Sequence, residues 1–231
     1  MDLHAARRRL IFPCILTLVL LGMLLMTAWA AMVSLPPLFG RVIVVDPGHG
    51  GIDSGTHDQR GLMEKDLNLA IALRLRNQLQ KLGAFVVLTR DGDYELSYMS
   101  NRSPSRHQRD LHSRVLITQR SQAELMLSIH INSSSSSHTR GSIVFYRADS
   151  ERSKHLATLI HQELQKVATW HTKPPLAGPV YYILRTSSAV TALIEVGYLT
   201  NAEEKALLCQ AGYQEQIASA ISTAVLRYYQ E

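Results

Sequence analysis

From Arg41 onward the hydrophobic positions alternate between two kinds of pattern. Arg41–Val45 is a short β-branched, apolar run, as expected of a buried strand. Glu64–Leu82 repeats Leu67, Ala70, Ile71, Leu75, Leu79 and Leu82 at helical spacing, and Gly83 is a natural stop. Ala84–Thr89 reads as a second strand. Arg90–Asp110 shows no period and clusters Arg102, Arg106, His107 and Arg109, so a long polar loop is expected there. A helix over Leu111–Gln122 and a strand over Leu125–His130 follow. Ser133–Ser137 is a serine run suited to a surface loop. Ser142–Tyr146 reads as a strand and Arg152–Ala168 as a helix. Val180–Leu184 and Ala192–Val196 read as two further strands. The last helix, Tyr213–Tyr228, would bury Ile217, Ile221, Ala224, Val225 and Tyr228.

Strands separated by helices predict a single α/β domain with a largely parallel sheet of about six strands flanked by helices. Such sheets place ligands beyond the carboxyl ends of their strands.

The first 34 residues differ from the rest. Arg7-Arg8-Arg9 precedes a run from Leu10 to Val33 without a charge. That run is long enough to span a bilayer, and Ala28-Trp29-Ala30 resembles a small-x-small cleavage site. A cleaved signal or an uncleaved membrane anchor both satisfy it, and its length favours the anchor. Either way the arginines stay inside and the domain is exported. The expected organisation is a leader over 1–34, a linker over 35–40 carrying Pro36, Pro37 and Gly40, and a catalytic domain over 41–231.

Charge narrows the partners only a little. The chain carries +5, of which Asp2 and the three arginines supply +2, leaving about +3 on the remainder. No basic helix is interleaved with aromatics, so nucleic acid is not an expected partner. Of the two cysteines, Cys14 lies in the leader, so Cys209 has no partner for an internal disulfide and reads as inert packing.

Four residues could carry chemistry. His49 lies in Asp46-Pro47-Gly48-His49-Gly50-Gly51, directly after the first strand. Glu64 opens the first helix. His130 ends Ser128-Ile129-His130, and Glu195 lies in the apolar Leu193-Ile194-Glu195-Val196. A parallel sheet gathers His49, His130 and Glu195 at one edge, and the glycine loop lets Glu64 fold back over His49. Two histidines and a carboxylate match a catalytic zinc site with its fourth position open for water. A further carboxylate then acts as general base and as proton donor to the leaving amine. Glu195 suits that task, because an ionised carboxylate in an apolar strand costs several kcal/mol, roughly, unless a cation offsets it.

Taken singly, a strand-end histidine is more often structural, and Glu64 alone is explained by a helix N-terminus. His57 is a spare ligand candidate. His107, His112, His138 and His171 lie in or near loops without a matching acid, and His155 and His161 belong to a solvated helix face. Gly-x-Ser-x-Gly, His-Glu-x-x-His and a phosphate loop are absent, which removes serine hydrolases, the common zinc endopeptidases and P-loop enzymes.

Three stretches in order carry a resemblance. Val44–Gly51 with Asp53 and Gly55, then Glu64-Lys65-Asp66-Leu67-Asn68, resembles the opening of the zinc N-acetylmuramoyl-L-alanine amidases of the Amidase_3 family. Ser128–Ser133 and Leu193–Asn201 match later motifs. The resemblance implies one zinc ion on His49, Glu64 and His130, Glu195 as the catalytic glutamate, and Asn132 helping to hold substrate. It also implies a single α/β domain with a mixed, mostly parallel sheet, and hydrolysis of the amide joining N-acetylmuramic acid to L-alanine in peptidoglycan. The layout resembles the spore-cortex, germination-type amidases, which prepare muramic acid for δ-lactam formation. A regulatory protein partner would be of unknown identity. Some division amidases of this family carry an inhibitory helix after the His-x-Asn strand. Here only about ten residues separate that strand from the next, too few for such a lid, so an open site is expected.

Two other readings compete. A catalytically inactive peptidoglycan-binding module would have no need of a buried Glu195. A zinc peptidase of carboxypeptidase type pairs its first histidine with glutamate as His-x-x-Glu, and here Ile52 occupies that glutamate position.

Overall fold

The computed structural model describes residues 16–24, 26, 35–167 and 173–231. The chain divides into two compact units at Pro36–Pro37. In the first, residues 16–24 are helical. The arginine triplet, the proposed cleavage site and His171 lie outside the described residues. Among the described residues no helix is long and apolar enough to cross a membrane.

In the second unit six strands form one sheet: β1 (Val42–Pro47), β2 (Phe85–Leu88), β3 (Leu125–Asn132), β4 (Ile143–Tyr146), β5 (Leu176–Ala177) and β6 (Val190–Tyr198). Their order is β2-β1-β3-β6-β4-β5. The first four in that order run parallel; β4 is antiparallel to β6, and β5 is parallel to β4. The sheet is therefore mixed and mostly parallel, as expected.

The helices are α1 (Glu64–Lys81), α2 (Arg106–Arg120), α3 (Glu151–Val167), α4 (Tyr182–Thr186), α5 (Ala202–Leu208) and α6 (Ala211–Gln230). Strand parity assigns each face. Ile43, Val45, Leu125, Leu127, Ile129, Ala192 and Ile194 pack in one core with α1, α3 and α6. Val44, Met126 and Leu193 point the other way, to Val115 of α2 and to Ile183 and Leu184 of α4. The same parity carries Asp46, Ser128, His130 and Glu195 to that second face at the carboxyl ends of the strands.

Three expectations are corrected. Val180–Leu184 is not a strand: Tyr182–Thr186 is helical, with Ile183 and Leu184 buried. Such a short apolar run has no period of its own to distinguish the two states. The strand that completes the six is instead β5, Leu176–Ala177. Second, α2 starts at Arg106, within the stretch expected to be loop. Ser105 caps it by accepting from the Gln108 N–H at 3.4 Å. The buried face of α2 holds Asp110, Ser113, Arg114 and Thr118 beside Val115, and its first turn, Arg106–Arg109, has no apolar position to mark it as helix. Third, Cys209 is exposed rather than packed. The sequence reading also passed over α5, which Asn201 caps by accepting from the N–H groups of Glu203 and Glu204.

Candidate metal centre

β1 delivers the glycine loop to the sheet edge, and the loop turns sharply there. His49 adopts φ 61°, and Gly50 and Gly51 follow at φ 133° and 59°. A left-handed conformation at histidine costs on the order of 1 kcal/mol, and two buried arginines hold it. Arg114 donates to the carbonyls of Pro47 and His49 at 2.8 and 2.7 Å. Arg90 donates to those of Pro47 and Gly48 at 3.0 and 2.9 Å. Arg114 is balanced by Asp46 at 2.6 Å and Asp110 at 2.7 Å. Asp46 also accepts from Thr89 and Ser128, each at 2.6 Å.

Around this turn His49, Glu64 and His130 converge, each offering one ligand atom, all within 4.8 Å of one another. Glu64 Oε1 stands 3.2 Å from His49 Nε2 and 3.1 Å from His130 Nδ1. The two rings meet edge to face with centroids 5.0 Å apart. Glu64 is 4% exposed and is fixed by donors from Thr56 N, Asn68 Nδ2 and Ile131 N. Asp53 Oδ2 lies 3.0 Å from His49 Nδ1, on the far side of that ring.

The electrostatics follow from the geometry. Burial alone would raise the Glu64 pKa, but the two imidazoles hold it well below the carboxylate range. Burial likewise opposes charge on His49, yet Asp53 and Glu64 together push it up to about 9. A divalent cation competes with protons for these same lone pairs, so binding would release protons.

Glu195 sits opposite His130 in the β3–β6 register. It is 9% exposed, and among the described residues its Oε2 has no hydrogen-bond partner. Burial pushes its pKa to about 7; His130 pulls it down, and Glu64 adds to the rise. An unpartnered buried carboxyl beside a His-Glu-His set is what a cation and its water would satisfy. The residues present therefore fit a metal ion.

All four residues line one cavity of about 450 Å³, together with Asn132 and Tyr181. Asn132 Oδ1 accepts from the Ser133 N–H at 2.8 Å. No helix is inserted between Asn132 and Ile143. His57 is exposed, pairs with Met63 in an isolated bridge, and is not part of the cluster. His107 does have an acid nearby, contrary to expectation: Asp53 Oδ2 is 4.0 Å from its Nδ1, and the ring lines the cavity. His155 is half exposed, as expected of a solvated face, whereas His161 is partly buried and its Nδ1 is unpartnered.

Gly55 shows how tightly the centre is packed. A Cβ there, at φ +63°, would lie 2.5 Å from Glu64 Oε2 and 2.7 Å from His49 Cδ2. Gly55→Ala is expected to lower metal affinity about 10–100-fold, the range for disturbing groups that orient ligands. Competition with a chromophoric chelator measures this.

Fold and site together define a hydrolase with a place for one divalent cation at the sheet edge. Residues 43–227 match the Amidase_3 family model, N-acetylmuramoyl-L-alanine amidase, and the chain belongs to that family. It is 37% identical over 196 residues to the germination-specific N-acetylmuramoyl-L-alanine amidase of Bacillus subtilis strain 168, covering 84% of this chain and 82% of that one. Among solved structures, the CwlD amidase of Clostridioides difficile, in complex with the GerS lipoprotein, superimposes with a TM-score of 0.78 at 34% identity. That match covers 83% of this chain and 99% of the other. The amidase AmiC2 of Nostoc punctiforme gives 0.72 at 33% identity, covering 83% and 98%. The family expected from the motifs is the family found, and the germination-type resemblance agrees with these relatives.

Proposed function

We propose that this amidase is a zinc hydrolase that cleaves the amide between the lactyl group of N-acetylmuramic acid and L-alanine, in the maturation of spore cortex. The observation that carries this reading is the His49–Glu64–His130 cluster in one cavity with the unpartnered, buried Glu195. Two imidazoles and a carboxylate suit zinc, which when bound would polarise the scissile carbonyl and acidify a water. His49, Glu64 and His130 would hold the ion. Glu195 takes the proton of the attacking water and passes it to the departing amine of L-alanine. Asn132 lines the cavity and helps hold the substrate.

Peptidoglycan as substrate places the work outside the cytoplasmic membrane. Residues 1–34 serve as signal or anchor, and residues 41–231 as the catalytic domain. A protein partner is supported by the C. difficile neighbour, which is solved with a lipoprotein.

The test is to incubate the protein with purified peptidoglycan and read the products by mass spectrometry. Free stem peptides beginning at L-alanine are expected, lost under chelation and restored by zinc. Wall binding without peptide release, in protein loaded with zinc, would instead mark an inactive binding module.

A further inference from the structure

The lining of the catalytic cavity is of two chemical kinds. Val180, 80% exposed, stands with Tyr181 and Leu111 in an apolar, aromatic wall. Thr56 belongs to the polar lining, and its N–H donates to Glu64 Oε2 at 2.8 Å. Thr56 also lines a second groove of about 640 Å³, so the two spaces share a wall that is one hydrogen bond from the metal cluster.

This groove is lined about equally by polar and apolar surface, and hydrogen bonds brace its rim. Asp58 Oδ1 accepts from the N–H groups of Arg60 and Leu62 at 2.8 and 3.1 Å, and the turn closes through Gly61 at φ 87°. Lys205 of α5 reaches across to Asp58 Oδ2 at 3.0 Å and ties the turn to the opposite wall. Asp58 is the one carboxylate among the lining residues, against the two cations Arg60 and Lys205, so one positive charge is in excess. That excess sits on Arg60. Its side chain is exposed, and among the described residues its guanidinium has no acidic partner.

We propose that this groove binds the stem peptide on the amine side of the scissile bond, with Arg60 receiving a free carboxylate of that peptide. The inference rests on the amidase reading above. A substrate clamped at the metal must send its glycan one way and its peptide the other. Sugar faces pack on apolar and aromatic surfaces, which the wall at Tyr181 offers. Free carboxylates follow L-alanine along the stem, and a guanidinium presented from a braced turn matches them through paired N–H donors. Lys205 neutralises Asp58 and so removes the one charge in the groove that would repel the peptide.

Kinetics with two soluble muropeptides test this on the full-length protein: one with its stem carboxylates free, the other with all of them capped as amides. Arg60→Glu is expected to raise KM for the free-acid substrate by about tenfold or more, with kcat changed less than about twofold, as for loss of one charge-assisted contact. On the capped substrate the variant and the wild type should have equal KM. An unchanged KM on the free acid, or the same rise on both substrates, would overturn the subsite while leaving the amidase reading intact. Failure of the zinc-loaded wild type to cleave either substrate would overturn the amidase reading and the subsite with it.

Discussion

Glu195→Gln is expected to lower kcat by about 10²–10⁴-fold, the range for removing a general acid–base, while leaving metal content and fold unchanged. Glutamine keeps the shape and removes only the ability to exchange a proton. The side chain is buried on β6, opposite His130, and Oε2 has nothing to hydrogen-bond. No structural duty is therefore lost with the charge. The measurement is single-turnover cleavage beside zinc stoichiometry and a urea unfolding curve. A kcat within about fivefold of wild type would remove Glu195 from the chemistry and direct attention to Asp53 or His107 at the same cavity.

The same substitution has a consequence for stability that can be read without any turnover. Burial pushes the Glu195 carboxyl from its ordinary 4.5 up to about 7. Across that window the folded state holds a proton that the unfolded state has released. The stabilisation from this group is thus complete below pH 4.5 and is lost as pH rises toward 7. Under chelation, wild type should lose a few kcal/mol relative to Glu195→Gln between about pH 4.5 and 7. Zinc should shrink the difference, because a cation beside the carboxylate favours its charged form. Parallel pH dependences for the two proteins would show that the carboxyl is already ionised in the folded state.

The sequence revealed the catalytic edge well because that edge is made of strand ends. β1 and β3 are β-branched or apolar runs that turn polar at Asp46 and at Ser128-Ile129-His130, and β6 is an apolar run interrupted by Glu195. Parity and parallel pairing then carry those residues to one place. Segments with weak or short patterns misled the reading. Tyr182–Thr186 is a single helical turn and a half, too short to show a period. α2 turns polar and charged side chains inward, so its first turn looks like loop. α5 is seven residues long, and its signal was the Asn201 cap rather than any periodicity.

The parts of the site that escaped notice are the ones whose partners are distant in sequence. Arg90 and Arg114 look like ordinary surface charges, and only the folded chain brings Arg114 to Asp46, 68 positions away. Asp46 opens the glycine-loop motif in sequence, yet it belongs to the frame rather than the chemistry, since it is fully buried and already engaged by Thr89, Ser128 and Arg114. An acidic residue within an apolar strand was the available signal, and it applied to Asp46 as much as to Glu195. What separates them is satisfaction: every oxygen of Asp46 has a donor, whereas Glu195 Oε2 has none.

Arg114→Met should therefore be the most destabilising single change near the site, by about 3–5 kcal/mol, the cost of breaking a buried ion pair from one side. Methionine roughly fills the volume but leaves Asp46 and Asp110 in the interior without their cation. Although burial acts to raise it, the Asp46 pKa is held below its ordinary range by Arg114, Ser128 and Thr89. Its stabilising contribution is thus present above about pH 4 and lost as pH falls through its folded pKa. In the variant that hold is weakened, and the acid limb of the stability curve should move to higher pH. The damage should also reach the metal. With the His49 carbonyl released and the Pro47 carbonyl left to Arg90 alone, His49 would be held less firmly at its positive φ, so zinc affinity should fall together with stability. Arg114→Lys retains the charge but not the fork that spans two carboxylates and two carbonyls, so an intermediate loss is expected. Urea unfolding of the three proteins from pH 4 to 8, with zinc affinity measured on each, decides the matter. A loss below about 1 kcal/mol for the methionine variant would mean that the buried pairs contribute little and that the loop is held by its other contacts, Arg90 among them.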